Sequence, residues 1–161
     1  MKSAVRKFFK ILTGAEKYVL VVILALMMFD LLLQVIFRFV LNNPLFWSEE
    51  LARIMLIWIG MAGIGYGMKM DSHVKMEAFF NRMPPTLKKI VSIFKYCVIM
   101  ACMIYIFPFA VRFCQDQASI KSSSMPVTYD WVFLSLCVGI VLLLLHCIEG
   151  ILEIIWDGDE L

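Results

Sequence analysis

Three polar residues stand at helical spacing in the first long apolar run of the sequence. Asp30, Gln34 and Arg38 follow one another at intervals of four residues, so a helix places them along one face. An ionisable side chain at bilayer depth is costly and is usually functional, as part of an ion or proton pathway or as a polar contact between helices. Asp30 is therefore the first candidate for chemistry in this sequence.

A second group of charged residues follows the next turn of the chain. Glu49 and Arg53 stand four residues apart, with Trp47 and Glu50 beside them. If the two apolar runs form antiparallel helices, Asp30 lies about 15 Å and Arg53 about 9 Å below the loop that joins them. A long arginine side chain spans that difference. The sequence thus predicts a buried pair between Asp30 and Arg53.

These two groups leave two interpretations open. In one, Asp30 is the working site of a small, self-sufficient, proton-coupled four-helix antiporter. In the other, the polar residues form a structural seam or a partner interface. The seam comprises Asp30, Gln34, Arg38, Trp47, Glu49, Glu50 and Arg53. We favour the seam, because a self-contained pathway needs polar groups on both sides of the midplane and we find none for a proton to reach below Asp30.

Membrane helices are the elements that must position these residues. Of the 161 residues, 62% are hydrophobic and 17% are charged, against about 45–50% and about 25% in an average soluble domain. Four apolar runs reach the length of about 20 residues that a span requires, at 18–40, 47–68, 90–113 and 131–155. Apolar runs of this length form helices in lipid. We predict an all-α protein in which residues 1–161 form a single integral membrane domain.

The first run follows a basic N-terminus and therefore imitates a signal peptide. It is longer than the apolar region of a signal peptide and ends without a small-residue cleavage site, so we expect it to be retained as a span. The connector between spans two and three predicts a further, short helix over residues 74–83. Its apolar residues, among them Met76 and Phe80, fall on one face, as is typical of a helix lying in the membrane interface.

The second span carries signals for its start and for its packing. Ser48 suits the N-cap position of this helix. Gly63 and Gly67 form a GxxxG pair, and Gly60 shares their side. Small residues let helices approach closely in lipid, where no hydrophobic force drives helix association. We predict a packing face at these three glycines, against a helix of this chain or of another.

Lysine and arginine are distributed unequally between the two sides of the membrane. Five precede span one and five lie between spans two and three, whereas the opposite side holds Arg112 and Lys121, with Arg38 near its edge. Cytoplasmic loops carry the excess of basic residues. We therefore expect both termini in the cytoplasm.

The remaining reactive residues do not indicate a cofactor. The five cysteines lie mostly within apolar runs and form no CxxC motif, which is typical of buried free thiols. A haem held by His73 and His146, as in a b-type cytochrome anchor, requires ligands at one depth, but these residues differ by roughly 13 Å. His146, Glu149 and Glu153 share a helical face that we expect at the cytoplasmic water boundary. We expect no catalytic residue, cofactor or metal site.

Nucleic acid is also excluded as a partner. The net charge is only +2, and no basic stretch alternates with exposed aromatic residues.

Several short motifs resemble those of one known family, the DctQ-like proteins, which are the small membrane subunits of tripartite ATP-independent periplasmic (TRAP) transporters. The resemblance covers nearly the whole chain. The motifs are Arg38, Asn43-Pro44, Trp47-Ser48-Glu49-Glu50-Leu51-Ala52-Arg53, Gly60, Gly63 and Asp71-Ser72-His73-Val74.

The resemblance implies a non-catalytic scaffold subunit of a sodium-coupled importer of an organic anion, such as sialic acid, another sugar acid or a C4-dicarboxylate. Its implied partners are a large membrane subunit that moves substrate by an elevator motion, a periplasmic substrate-binding protein and membrane lipids. The implied location is the bacterial inner membrane.

The resemblance also bears on particular residues. It places Trp47, Glu49, Glu50 and Arg53 in or near the structurally important outer half of span two. Outer-loop residues become candidates for docking the substrate-binding protein, and we consider Asn43, Glu50 and Lys121 for this role.

Overall fold

The computed structural model describes residues 2–74, 85–122, 124 and 128–157. It contains four long helices, which we label α1 (Lys2–Phe39), α2 (Phe46–Val74), α3 (Pro85–Asp116) and α4 (Tyr129–Asp157). A three-residue 3₁₀ helix, Gln117–Ser119, follows α3. All four long helices are long and apolar enough to cross a membrane, so the predicted all-α membrane fold is confirmed. The short helix predicted over residues 74–83 lies outside the described residues, except that Val74 ends α2.

The helices are longer than the apolar runs that predicted them, and α1 shows this most clearly. It begins at Lys2, although the apolar run begins near residue 18. Its 38 residues extend about 57 Å, well beyond the roughly 30 Å of a hydrocarbon core. Phe9 and Glu16 in this added segment are buried. The start of α1 therefore depends on packing against the rest of the bundle as well as on the apolar run.

The two central helices of the bundle are α2 and α4. They pack along each other, while α1 also packs against α2 and α3 against α4. The α4 helix is consequently the most buried of the four. Its Leu143 and Cys147 form the core with Tyr96 of α3. Helices that are adjacent in the sequence thus pack as two pairs, α1 with α2 and α3 with α4. The contact between α2 and α4 joins these pairs.

Two glycines of α4 permit its close contact with the neighbouring helices. A Cβ added at Gly139 would lie 2.5 Å from the backbone oxygen of Met61 in α2, and one added at Gly150 would overlap the ring of Tyr96 in α3. They are eleven residues apart, about three helical turns, and so lie on nearly the same side of α4. A larger residue at Gly139 would force α4 away from α2, whereas one at Gly150 would require the Tyr96 ring to move.

The turn between α1 and α2 differs from the prediction at Ser48. The α2 helix already begins at Phe46, and the Ser48 N–H donates to the Leu45 carbonyl at 3.2 Å. The expectation that Ser48 is the N-cap is therefore wrong, because the helix starts two residues earlier and leaves its hydroxyl free to face α1. Asn42 makes the turn with a positive φ of 49°, a conformation that asparagine tolerates better than most residues.

Candidate functional site

The contact between α1 and α2 contains a group of polar side chains that we call the Asp30 cluster, defined as Asp30, Gln34, Ser48 and Glu49. The Ser48 hydroxyl donates to Asp30 Oδ2 at 2.8 Å, and both side chains are buried. The Gln34 amide donates to Glu49 Oε1 at 3.0 Å, at a more exposed position. The structure thus brings together three of the residues predicted for the seam and adds Ser48 as the partner of Asp30.

Arg53 does not pair with Asp30, which corrects the prediction made from depth alone. Arg53 is exposed. It lies five residues after Ser48, which is about 140° around a helix, so the face that carries Ser48 toward α1 turns Arg53 away. Two more of the predicted seam residues, Arg38 and Trp47, are also exposed, and the Arg38 guanidinium lies 5.8 Å from the centre of the Phe39 ring.

Glu50 binds the loop before α4 instead of presenting its charge to solvent. Its carboxylate accepts hydrogen bonds from the Ser124 N–H and the Tyr129 hydroxyl, each at 3.2 Å, and from the Ser122 hydroxyl. Only 9% of Glu50 is exposed. The position of Glu50 therefore does not support direct contact with a docked protein, because its carboxylate already accepts hydrogen bonds within this chain.

The other two docking candidates lie on the surface, on different loops. Lys121 is exposed and forms an isolated antiparallel bridge with Thr128. Asn43 is exposed, and its backbone N–H donates to the Phe37 carbonyl at 3.0 Å.

The glycines predicted to form a packing face are not the ones at the contacts between helices of this chain. An added Cβ at Gly60, Gly63 or Gly67 would meet nothing within 4 Å. Gly65 in the same helix is buried, and its Cβ would lie 3.1 Å from Leu142 Cβ of α4. The predicted face is therefore open with respect to the residues of this chain that the structure describes.

A second polar group, which we call the His146 cluster, joins three helices deeper in the bundle. It consists of Glu16 from α1, Lys69 from α2, and His146 and Glu149 from α4. His146 Nε2 lies 2.7 Å from Glu16 Oε2, and Nδ1 lies 3.0 Å from Glu149 Oε2. Lys69 Nζ forms an ion pair with the other oxygen of Glu149.

The His146 cluster corrects two expectations from the sequence. The side chains of His146 and Glu149 do not face water, because they are only 1% and 9% exposed. Polar groups also exist on α1 below Asp30, namely Glu16, which was overlooked. The two residues are nonetheless fourteen positions apart, or about 21 Å along the helix axis.

The sequence contains one feature that could have predicted this cluster, but the prediction of the first span left it out. Glu16 was assigned to the tail before the first span, although a helix that continues through it places it opposite the polar face of α4. A single acidic residue on a continuous helix, level with a His-x-x-Glu pair on an antiparallel helix, is that feature.

The described parts of the chain contain no group of three or more histidine, cysteine or acidic residues arranged to hold a metal ion. A surface pocket of about 300 Å³ opens between α1 and α2, lined by Gln34, Arg38 and Glu49 among others. A second of about 230 Å³, between α2, α3 and α4, has an entirely apolar lining that includes Met61 and Met103. Neither arrangement brings together a nucleophile, a base and an oxyanion site.

Comparison with known proteins identifies relatives for most of the chain. Residues 27–156 match the family described as "Tripartite ATP-independent periplasmic transporters, DctQ component". The small permease protein SiaQ of a sialic acid TRAP transporter from Vibrio cholerae is 25% identical over 145 residues, covering 90% of this chain and 84% of SiaQ. The small permease protein TeaB of an ectoine TRAP transporter from Halomonas elongata is 27% identical over 128 residues, covering 76% and 66%.

A third relative is much larger than this chain. The sialic acid TRAP transporter permease protein SiaT of Haemophilus influenzae is 28% identical over 120 residues, which is 74% of this chain but only 20% of SiaT. Four fifths of SiaT therefore has no counterpart in this match.

Proposed function

Because this chain belongs to the DctQ family of tripartite ATP-independent periplasmic transporters, we propose that it is the scaffold subunit of a sodium-coupled secondary transporter that imports an organic anion. In this role it braces a large, elevator-type membrane subunit. It also helps to dock the periplasmic substrate-binding protein. The chain itself is a multi-pass membrane protein and a transport component, not an enzyme. We further propose that it resides in the bacterial inner membrane with both termini in the cytoplasm.

The separation of the two polar clusters is the observation that carries the scaffold role. A solute or ion that crosses a membrane needs polar groups through the whole depth of its path. Between Glu16 and Asp30, α1 presents a nearly continuous apolar stretch from Tyr18 to Phe29. Each cluster instead joins helices to one another, so the buried polar groups support cohesion of the bundle.

The size of SiaT supports a role beside a larger component. A segment similar to this chain makes up a fifth of that permease, so the remainder has room for transport machinery that this chain lacks. In our proposal, the corresponding machinery here is a separate large membrane subunit.

The open glycine face is our candidate for contact with that large subunit. Gly60, Gly63 and Gly67 leave space on α2 that no described residue of this chain fills, and small residues favour close helix approach in lipid. Membrane lipids would cover the remaining exposed apolar surface. Gly63→Leu should therefore reduce co-purification with the large subunit. Gly14→Leu, which also enters open space, serves as its control, and equal loss in both variants contradicts this assignment.

We propose that the other components of the transporter, and not this chain, determine which substrate is carried. SiaQ and TeaB resemble this chain to a similar degree, yet their names refer to sialic acid and to ectoine, which are chemically different. A subunit that does not touch the substrate can serve in both cases. We expect sialic acid, another sugar acid or a C4-dicarboxylate for this system.

Docking of the substrate-binding protein would use the loops at the Asp30 end of the bundle. The exposed Asn43 and Lys121 are the candidates for direct contact. Glu50 would act indirectly, since its hydrogen bonds to Ser124 and Tyr129 hold the loop that carries Lys121.

Reconstitution into liposomes with a sodium gradient tests the scaffold role. Labelled sialic acid uptake is measured for this chain alone, for the large subunit with its binding protein, and for all three together. We expect uptake only in preparations that contain the large subunit and the binding protein, and more when this chain is added. Uptake by this chain alone would refute the proposal.

The same assay separates the scaffold from the antiporter. Asp30→Asn in the full complex should retain uptake, because asparagine keeps an oxygen that accepts the Ser48 hydroxyl. Complete loss of uptake with the complex intact would instead favour proton coupling through Asp30.

A further inference from the structure

The first turns of α1 carry three exposed lysines on one side of the helix. Lys7, Lys10 and Lys17 are all exposed, and their spacing brings them to within about 80° of one another around a helix of 3.6 residues per turn. None of the three forms an ion pair with another described residue. They therefore present three positive charges together on the surface of α1.

The bundle holds this segment of α1 from another side. Phe9 and Glu16 of the same segment are buried. They are seven residues apart, about two helical turns, so both face the neighbouring helices. The Arg6 guanidinium also lies toward α4, 5.9 Å from the centre of the Trp156 ring. The side that carries the three lysines consequently stays at the surface of the bundle.

The acidic side chains near this segment lie on its bundle side. Glu16 is the only acidic residue among the first 29 of the sequence, and its carboxylate faces His146. On α4, Glu149 and Glu153 line a small cavity together with Arg6. The end of the sequence adds the acidic residues Asp157, Asp159 and Glu160. Among the side chains that the structure describes, the negative charge is therefore directed away from the three lysines.

Large apolar side chains are exposed beside the lysines. Phe8 and Ile11 are 57% and 63% exposed. Around the helix, Ile11 comes next to Lys7 and Phe8 follows it, on the side away from Lys10. An exposed helix surface that combines lysines with large apolar residues is typical of the membrane interface, where the apolar side chains enter the acyl boundary and the cations meet the headgroups.

The position of the lysines along α1 brings them to the headgroups. The apolar run begins near Tyr18, so Lys17 lies at the edge of the hydrocarbon core. Lys10 and Lys7 lie about 10 Å and about 15 Å farther along the helix axis. The headgroup region adds roughly 5–7 Å on each side of the core, and the field of an anionic surface extends about 8–10 Å beyond it. All three lysines are within reach of headgroup charge.

We propose that this surface, defined as Lys7, Phe8, Lys10, Ile11 and Lys17 and called the α1 basic surface, binds anionic phospholipids. The headgroups lie against the lysines, and the acyl chains cover the two apolar residues. Charge complementarity selects this occupant, because a zwitterionic headgroup carries its own cation beside the phosphate and gains less from the lysines. The leaflet is the one at which α4 ends. This interaction goes beyond the scaffold role and does not depend on it.

Native mass spectrometry of the full-length chain measures the lipid preference. The protein in detergent is mixed with equal amounts of phosphatidylglycerol, which is anionic, and phosphatidylcholine, which is zwitterionic, with the same acyl chains. We expect the parent to bind more phosphatidylglycerol. Each lysine near an anionic surface contributes a factor of about five to binding. The triple variant Lys7→Gln/Lys10→Gln/Lys17→Gln should therefore retain at most about a tenth of the parent's ratio for the first bound lipid.

The triple variant Arg53→Gln/Arg112→Gln/Lys121→Gln is the matched control. It also removes three exposed positive charges, but these lie toward the Asp30 end of the bundle. Both triple variants have the same net charge. The control should keep the parent's ratio to within about twofold, since it leaves the α1 basic surface intact. Helical circular dichroism establishes that both variants are folded.

Acetylation of lysine amines locates the contact without any substitution. The full-length chain is placed in nanodiscs of phosphatidylcholine alone or of phosphatidylcholine mixed with phosphatidylglycerol, and the rate at each lysine is followed by peptide mass spectrometry. We expect phosphatidylglycerol to slow acetylation of Lys7, Lys10 and Lys17 severalfold, and that of the exposed Lys121 much less. This measurement decides if a triple variant does not fold.

Several results would overturn the proposal. One is equal binding of the two lipids by the parent, and another is a preference that survives in the triple lysine variant. Loss of the preference in the control as well would show a dependence on net charge alone. Protection of the three lysines in the assembled transporter in pure phosphatidylcholine would show that a partner subunit, and not anionic lipid, covers this surface.

Discussion

Replacing Gly139 by alanine is expected to weaken the contact between the two central helices. The added Cβ would lie 2.5 Å from the Met61 backbone oxygen and 3.0 Å from its carbonyl carbon. Backbone atoms of a helix cannot rotate aside, so α4 must move away from α2 by about 1 Å to restore ordinary contact distances. Alanine at Gly63 of α2 meets nothing within 4 Å and requires no such movement.

The difference between these two variants isolates the cost of separating the helices. Alanine in place of glycine within a helix gains up to about 1 kcal/mol from backbone propensity, and this gain applies to both sites. Overpacking in a close contact costs about 1–3 kcal/mol and applies only at Gly139. We therefore expect Gly139→Ala to be less stable than Gly63→Ala by about 1–3 kcal/mol.

Unfolding of the full-length protein in mixed micelles measures this difference. The fraction of denaturing detergent is raised while the helical circular dichroism signal and tryptophan fluorescence are followed. The free energies of unfolding of both variants are compared with that of the parent. If Gly139→Ala is as stable as Gly63→Ala, the close approach of α2 and α4 at this point does not exist as described.

Three further predictions concern the polar residues. Ser48→Ala removes the donor to the buried Asp30 and should lower the free energy of unfolding by about 1–3 kcal/mol. Asp30→Asn keeps an acceptor and should lower it by less. Equal losses of stability in the same micelle assay would contradict this. Glu50→Ala should speed tryptic cleavage after Lys121, because the loop loses its acceptor, while Glu49→Ala should not; equal rates of cleavage would show that Glu50 does not hold the loop. Lys121→Glu should reduce uptake at low concentrations of binding protein while the membrane complex still co-purifies, and unchanged uptake would assign docking to the large subunit.

The partial success of the site prediction follows from what depth alone can tell. Gln34 and Glu49, both assigned to the predicted seam, form a hydrogen bond. Counting residues from the loop paired Asp30 with Arg53, because it ignored the rotation of α2 about its axis. Ser48 faces α1 and Arg53 does not. The depth of a residue along its helix can be estimated from the sequence, whereas the direction in which its side chain faces depends on how the helix packs against its neighbours.

The sequence by itself determines the number and type of the spans and most of their central positions. Lipid requires each span to be apolar and to satisfy its own backbone, and these requirements act within each segment. Only the tertiary structure decides which glycines contact another helix and which polar groups meet. Glu16 and His146 are 130 residues apart in the chain, and the sequence around either residue does not identify the other as its partner. Their contact arises because α1 and α4 both pack against α2, which places distant segments at one level.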